Sequence, residues 1–572
     1  MTDAPLTRWE LTVVLRSPFL IPGPSVHATA VDVRPAVNGD GRPIIPGSLI
    51  RGLFRDAVKT VGFDDVLALF GRASGGTDGQ GAGAAQRIVD NEPRRRLLDF
   101  SDLTATEKPS PDMLVRVALD EQTGAGKEGH LQFMELVAPL GREVTFKGDI
   151  TCRTADPDGL KAQLERAARL IRAVGSNKSS GFGEVAALSV QVLSSGDVGS
   201  DRPLPRWGDI VLELDRPFLV NAEPTTSNLF KGDECIPGAV LKGALAPRFA
   251  AAGIAADAIS TLHIGHAVPI KVPEDGATEE IFCVTPVLPL SLALCKKSGC
   301  DTLTDLLLIE DVTTLLEKDV GPPVLAVDWK PGQRDQVLKA LKITPPDLSR
   351  DLRTRTALDP ETGTTRYDDA TETGALFSCS AVVPRGHRWV SRWFIPDNID
   401  DQTVQRLRTV LMAGIPGIGK TGATATVQDV RGVASVPASP LSGEETQWAV
   451  TLQTDAAMGD GREQDYRAYW RDNGFRLIRH FARQRLVGGY QALRYPACET
   501  GYMPYVLTCA GSVFLLDGPR ERLEELLRCG LPPVAPYNER DWKTFPFGRE
   551  NGFGAIAVNV VDHAGLKEGL DV

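Results

Sequence analysis

Long apolar runs are missing from this sequence. No stretch approaches the ~18 consecutive apolar residues of a membrane-spanning helix, so no membrane partner is expected. The opening MTDAPLTRWELTVVL lacks the charged region and long apolar stretch of a secretion signal. Positive charge is also short: 63 Lys and Arg stand against 74 Asp and Glu, a net of −11. This excludes attachment to DNA or membrane by bulk positive charge and leaves room for a local basic groove. Cysteine is sparse, nine in 572 residues and an odd number, the pattern of reduced thiols in the cytoplasm rather than of a disulfide framework. The seven histidines form no Ser-His-Asp or Cys-His pattern. Glycine (56) and proline (40) are plentiful but spread among apolar segments, and 42% hydrophobic residues suffice for ordinary cores. At a soft ~150 residues per domain, the length allows three or four domains.

The chain repeats itself. IIPGSLIRGLFRDAV (44–58) echoes CIPGAVLKGALAPRF (235–249), each a tight turn leading into a helix. LDEQTG (119–124) echoes LDPETG (358–363), each followed by an alternating stretch that reads as a β-hairpin. Helical GLKAQLERAARLIRAV runs into GSNKSSGFG and a strand-like segment; DDQTVQRLRTVLMA runs likewise into GIPGIGKTG and a strand. A partial third copy ends in GRENGFG (548–554) before AIAVNVV. Gly/Pro/Ser-rich linkers at 194–209 and 433–445 divide the chain into units at 1–198, 199–434 and 435–572. Each reads as α+β, in βαββαβ-like order with helices on an antiparallel sheet. Residues 71–111 read as a surface excursion, and 270–350 as an insertion in the second unit, rich in helix-compatible Leu.

The ordered set of an IPGSxxxGxxR element, an LDxxTG hairpin and a terminal GFG loop resembles the RAMP superfamily, the repeat-associated subunits of CRISPR effector complexes. The first unit, with LALFG at 67–71, resembles a type III backbone subunit. The second and third, with VLPLSLALCKKSGCDTLTDLLL, TALDPETG, GGYQALRYP and CAGSVFLLDG, resemble the large RAMP subunit of type III-D systems. The resemblance implies tandem ferredoxin-like or RRM-like domains with insertions. It also implies binding of guide RNA and complementary target RNA, and other type III effector subunits as partners. In backbone subunits an Asp before the IPG turn carries metal-dependent target cleavage; Asp32 best fits that position, with Mg²⁺ as the implied cofactor. His27 and Arg34 are then candidates for proton transfer and charge stabilisation, and Asp40 lies in the same loop. On residues alone, Asp32 reads equally as a turn carboxylate bonded to its own backbone.

RNA contacts are expected at the Gly-rich loops, where missing Cβ atoms admit a phosphate backbone. These are Gly175, Lys178, Ser179, Ser180, Gly181 and Gly183 in the first unit, Gly419 and Lys420 in the second, and Gly552 and Gly554 in the third. The alternative is a connecting turn that needs positive φ. Ser48 is expected to cap the IPG helix, whose N-terminus suits an anion. Arg51 and Arg55 form a basic face on that helix and Lys242 takes the place of Arg51 in the second copy, unless these are solvated faces. Phe182 and Phe553 either stack on bases or fill cores, the latter being favoured. Glu223 and Asp233 are weaker site candidates.

Two motifs point elsewhere. GIPGIGKT (414–421) spells a nucleotide-binding P-loop, but a helix precedes it and a strand follows, the reverse of the required context. Cys283, Cys295 and Cys300, with His263 and His266, suggest a structural zinc, but lack paired C-x2-C knuckles; reduced packing cysteines are the alternative. His130, His387 and His480 join His27 as candidate bases for a guide-processing nuclease, or as packing and surface residues. The leading expectation is an RNA-guided effector subunit that cleaves target RNA at Asp32. The rivals are a non-catalytic structural or capping subunit, a guide-processing nuclease and a P-loop NTPase.

Overall fold

The computed structural model describes residues 6–571 apart from 24–30, 39–40, 64–65, 72–96, 121, 155, 193–202, 221–222, 227–228, 273–285, 295–301, 310–323, 326–330, 357–366, 369–372, 375, 434–440, 442–445, 489–503 and 569. It is a mixed α/β structure in which three antiparallel sheets carry the main cores. No described helix is long and apolar enough to cross a membrane.

In the first sheet, β1 (Leu6–Arg16) buries Trp9, Leu11, Val13 and Leu15, the period-two pattern of a strand with one covered face. Strands β2 (Leu98–Phe100) and β3 (Leu103–Ala105) lie along β6 (Glu143–Arg153), and β1 sits between β6 and β7 (Glu184–Val192). Helix α1 (Gly47–Val61) buries a stripe of Ile50, Phe54, Ala57 and Val58. Helix α2 (Pro157–Ala168) opens on a proline, with Asp156 accepting the Gly159 N–H at 2.9 Å. Between β3 and β6 the chain forms an arm, β4 (Asp112–Leu119) paired with β5 (Gly126–Leu136). Its turn is the LDEQTG motif: Asp120 accepts from the Gln122 and Thr123 N–H groups and Gly124 has φ 67°.

The second sheet centres on β8 (Trp207–Leu214), with β9 (His263–Lys271) beyond β12 (His387–Phe394) on one side and β14 (Ala423–Gly432) and β13 (Ile415–Ile418) on the other. Its helices are α3 (Gly238–Ala251) and α4 (Asp401–Met412), and its arm is β10 (Arg350–Thr356) with β11 (Leu376–Val382). The third centres on β15 (Gln447–Leu452), with β16 (Arg476–Phe481) beyond β19 (Val513–Asp517) and β20 (Ile556–Val558) opposite. Its helices are α5 (Glu463–Asp472) and α6 (Arg520–Cys529), and its arm is β17 (Gln484–Val487) with β18 (Tyr505–Thr508). The stretch read from sequence as a partial copy thus carries, among its described residues, the four strands of one sheet, helices α5 and α6 with a shorter one at His563–Glu568, and an arm.

The insertion differs from expectation. Its described part contains strands at Leu292–Leu294 and Thr302–Asp305 that pack on the third unit, while Ile270 and Leu348 at its two ends pack in the second. Leu292, Leu294, Leu303 and Val337 form a core with Val561 and Leu566, and Thr302–Asp305 pairs with Leu570–Asp571. Leu side chains suit a strand buried against a neighbour as well as a helix, and the same region also holds a helix at Pro331–Ala340.

Candidate nucleic-acid interface

Three segments of the first unit meet around one buried ring. Phe182, from the Gly-rich loop, packs with Leu20 and with Met134 and Leu136 of β5, and Val33 and Leu114 line the same cluster. Phe182 is 6% exposed, so it fills a core as the favoured reading held, and Arg116 of the arm sets its guanidinium 5.8 Å from the ring centroid. The Asp32 segment, the β4–β5 arm and the Gly-rich loop are therefore one packed body.

Asp32 is exposed. Its N–H donates to the Phe133 carbonyl at 3.0 Å, and its Oδ2 accepts the Phe133 N–H at 2.7 Å. Glu135 N–H in turn donates to the Val33 carbonyl, and Arg34 Nε lies 3.4 Å from Glu135 Oε2. Arg34, the candidate for charge stabilisation, thus has a carboxylate beside its guanidinium. Among the described residues Oδ1 of Asp32 takes no hydrogen bond, and no three His, Cys, Asp or Glu residues cluster as a metal cage. One available carboxylate oxygen fits Mg²⁺, which is commonly held by one or two carboxylates together with substrate phosphates. His27 and Asp40 lie outside the described residues.

Lys178, Ser179 and Ser180 form an exposed 3-10 turn between two left-handed residues, Asn177 (φ 57°) and Gly181 (φ 80°). Gly181 opens onto free space, whereas a Cβ on Gly175 would strike the Leu20 carbonyl and one on Gly183 the Val174 carbonyl. At Gly175 and Gly183 the missing Cβ thus serves close packing of the chain on itself.

The helix N-termini also differ from expectation. Pro46, not Ser48, is the N-cap of α1, and Ser48 makes no capping bond. Asp102 Oδ1 instead accepts the Gly47 N–H at 2.8 Å, and its Oδ2 pairs with Arg353 of β10 at 2.6 Å. The anion place is filled by the protein's own carboxylate, which also joins the first and second units. In α3 the same place is taken by His266 Nδ1, 3.2 Å from the Gly238 nitrogen, and burial pushes this imidazole down to about 4. Arg51 is half-buried on α1, and Arg55 lies 3.6 Å from Asp56.

Lys242 is a further correction. It is fully buried, donating to the carbonyls of Ser260 (3.0 Å), Leu262 (2.7 Å) and Glu550 (3.4 Å), with its ammonium 4.9 Å from the Trp542 ring centroid. It cannot meet a phosphate there. Gly552 and Gly554 are buried too: a Cβ on Gly552 would collide with His266, and one on Gly554 with Leu531. The third Gly-rich loop seals the seam to the second unit, and Phe553 packs at 4.9 Å on His266.

GIPGIGKT forms a strand turn, β13 into β14. Gly419 abuts Leu219 and the Lys420 N–H donates to the Leu219 carbonyl, while the exposed Lys420 ammonium sits 4.4 Å from the Phe230 centroid. The Gly414 and Lys420 N–H groups thus donate to carbonyls of the same chain, and the strand–turn–strand context is not that of a P-loop. His263 Nδ1–H donates to the Cys529 carbonyl (2.9 Å), while Cys283, Cys295 and Cys300 lie outside the described residues. His387 is buried beside the Arg385 carbonyl, His480 stacks among Tyr466 and Phe514, and His130 is exposed on β5. Asp233 takes the Cys235 N–H in a local turn, and the Glu223 side chain lies outside the described residues. The arm carries what the motif search overlooked: Met113, Val115, Val117 and Leu119 are exposed at alternate positions, with Leu131 opposite Val117. Their period-two spacing was the available signal.

Residues 12–186 match the family model of the RAMP superfamily. Among solved structures, the cryo-EM structure of the Type III-B Cmr-beta bound to cognate target RNA is similar at 18% identity and TM-score 0.25, over 33% of this chain and 61% of that one. The Type III-B Cmr-beta structure of the apo state is similar at 9% identity and TM-score 0.24, over 33% of this chain and 98% of that one. No curated protein matches the sequence.

Proposed function

We propose that this chain is an RNA-binding subunit of a type III CRISPR effector complex. Its first unit holds guide RNA and places Asp32 beside a complementary target strand. The observation that carries this reading is the packing of the Asp32 segment, the arm and the Gly-rich loop around Phe182, within the region that matches the RAMP superfamily. Lys178 supplies an ammonium and Ser179 and Ser180 supply hydroxyls on an exposed turn, contacts that position a sugar–phosphate backbone without reading its bases. Arg51 and Arg55 on α1 are further candidate phosphate contacts. Asp32 Oδ1 would hold Mg²⁺, which supplies Lewis-acid activation of a phosphate. The Phe133 N–H fixes the carboxylate, so Asp32 meets the substrate already oriented. The common strand order supports reading 1–198, 199–434 and 435–572 as three ferredoxin-like units in tandem. Guide RNA, complementary target RNA and other effector subunits are the partners this implies.

For the second and third units a structural role is the better reading. Lys242 and the GRENGFG loop are consumed at their mutual seam, which favours a capping body over a second cleavage site.

The test is to incubate the assembled complex with labelled complementary RNA and Mg²⁺. Cuts at regular nucleotide intervals are expected, lost in Asp32→Ala while assembly is retained. Unchanged cutting by Asp32→Ala removes Asp32 from the site. Purification without co-purifying short repeat-derived RNA overturns the RNA-guided reading itself.

A further inference from the structure

We infer that Arg34 and Glu135 are positioning residues, which clamp the Asp32 segment to the base of the β4–β5 arm and so set where the Asp32 carboxylate points. This deepens the proposed role of Asp32 and rests on it.

The segment 31–35 does not lie in any of the three main sheets. On one side it is bridged to residues 22–23, with the Gly23 N–H donating to the Arg34 carbonyl; on the other it is attached to β5 by the Asp32 N–H to the Phe133 carbonyl, the Phe133 N–H to Asp32 Oδ2, and the Glu135 N–H to the Val33 carbonyl. Val33 and Met134 form a parallel bridge. This is a short parallel ladder on the edge of a two-stranded arm, and such pairings are weak alone. An ion pair between partly exposed side chains stands at its end, where Arg34 Nε lies 3.4 Å from Glu135 Oε2. Arg34 and Glu135 follow Asp32 and Phe133 by two residues on their respective strands. They therefore share a face with the paired residues and hold the register. A slip of one residue would turn Asp32 to the opposite face. Beneath them, Met134 and Leu114 anchor the arm on Phe182, the ring that also ends the Lys178–Ser180 turn. The carboxylate and the exposed basic turn are thus referenced to one rigid base. Arg34 contributes geometry, its charge being committed to Glu135 rather than to a phosphate.

The test uses the full chain in its assembled complex, with Arg34→Glu, Glu135→Arg and the double exchange. Loss of a side chain that orients a metal-binding group typically costs about 10–100-fold, so each single variant is expected to lower target cleavage at saturating RNA by that factor and to leave target affinity unchanged. Hydrogen exchange at the Asp32 and Glu135 amides speeds up in each single variant, and the double exchange restores both protection and rate. If Arg34→Glu instead weakens target affinity at an unchanged maximal rate, Arg34 is a direct RNA contact and the inference fails. It fails equally if the amides keep their protection in the single variants. Because protection is read without cleavage, it stands apart from the Asp32→Ala result: loss of protection with undiminished cutting by Asp32→Ala overturns the catalytic reading while leaving the clamp as a matter of structure.

Discussion

Lys242 makes the strength of the seam between the second and third units depend on pH. Burial is the largest influence on its amine and pushes it from 10.5 down to about 7, against the partial support of Glu550 and Asp541. The unfolded chain keeps this proton up to about pH 10.5, the folded chain only to about 7. Between those values the unfolded state binds more protons, so stability rises with pH; below 7 both states are protonated and the full penalty is present. Each unit is worth about 1.4 kcal/mol, and the whole interval sets an upper figure of about 5 kcal/mol. Lys242→Met keeps the apolar stem and removes the titration, at the cost of leaving the Ser260, Leu262 and Glu550 carbonyls without this donor. The wild type should therefore gain on the variant by about 1 kcal/mol per pH unit from pH 7 to 9. Hydrogen exchange of the α3 amides reads the opening of this seam without assuming one unfolding step for a chain with several cores. A gap between the two proteins that stays level or narrows as pH rises would refute the reasoning.

Two smaller perturbations test other parts of the structure. Asp102→Ala removes both the acceptor for the Gly47 N–H and the partner of Arg353, and should destabilise the first–second seam by about 2–3 kcal/mol, read as faster proteolysis between the units. Asp102→Asn keeps an acceptor for Gly47 and should recover part of that loss. Gly181→Ala and Gly183→Ala both strain a left-handed backbone by about 1–2 kcal/mol, but only at Gly183 does the new Cβ strike the Val174 carbonyl. A urea titration should find Gly183→Ala clearly the more damaging, and equal effects would contradict the packing described.

Much of the architecture was legible because it is written in local chemistry. The IPG turns opened helices, the Asp120 turn closed a hairpin, and glycines in the loops took positive φ, each determined by residues within a few positions. Lys242 was misread, although its place was recoverable: Gly238, Leu241, Lys242, Leu245 and Phe249 share the buried stripe of α3. A lysine in an apolar stripe signals a buried amine rather than a surface contact. The third arm escaped notice because its paired strands are four residues each, too short for alternation to stand out.

The sequence by itself determined the repeated order of turn, helix, arm, loop and strand, since those depend on backbone preferences and on hydrophobic spacing. Only the tertiary structure decided which copies remain open to a ligand. Asp102 reaches α1 from 55 residues away, Glu550 reaches Lys242 from 308, and the strands of the insertion reach across to the third unit. Similar motifs carry similar local geometry, but whether a loop faces solvent or a neighbouring unit depends on chain brought back from far along the sequence. That is why the loop at Lys178 stays exposed while its counterpart at Gly552 is sealed.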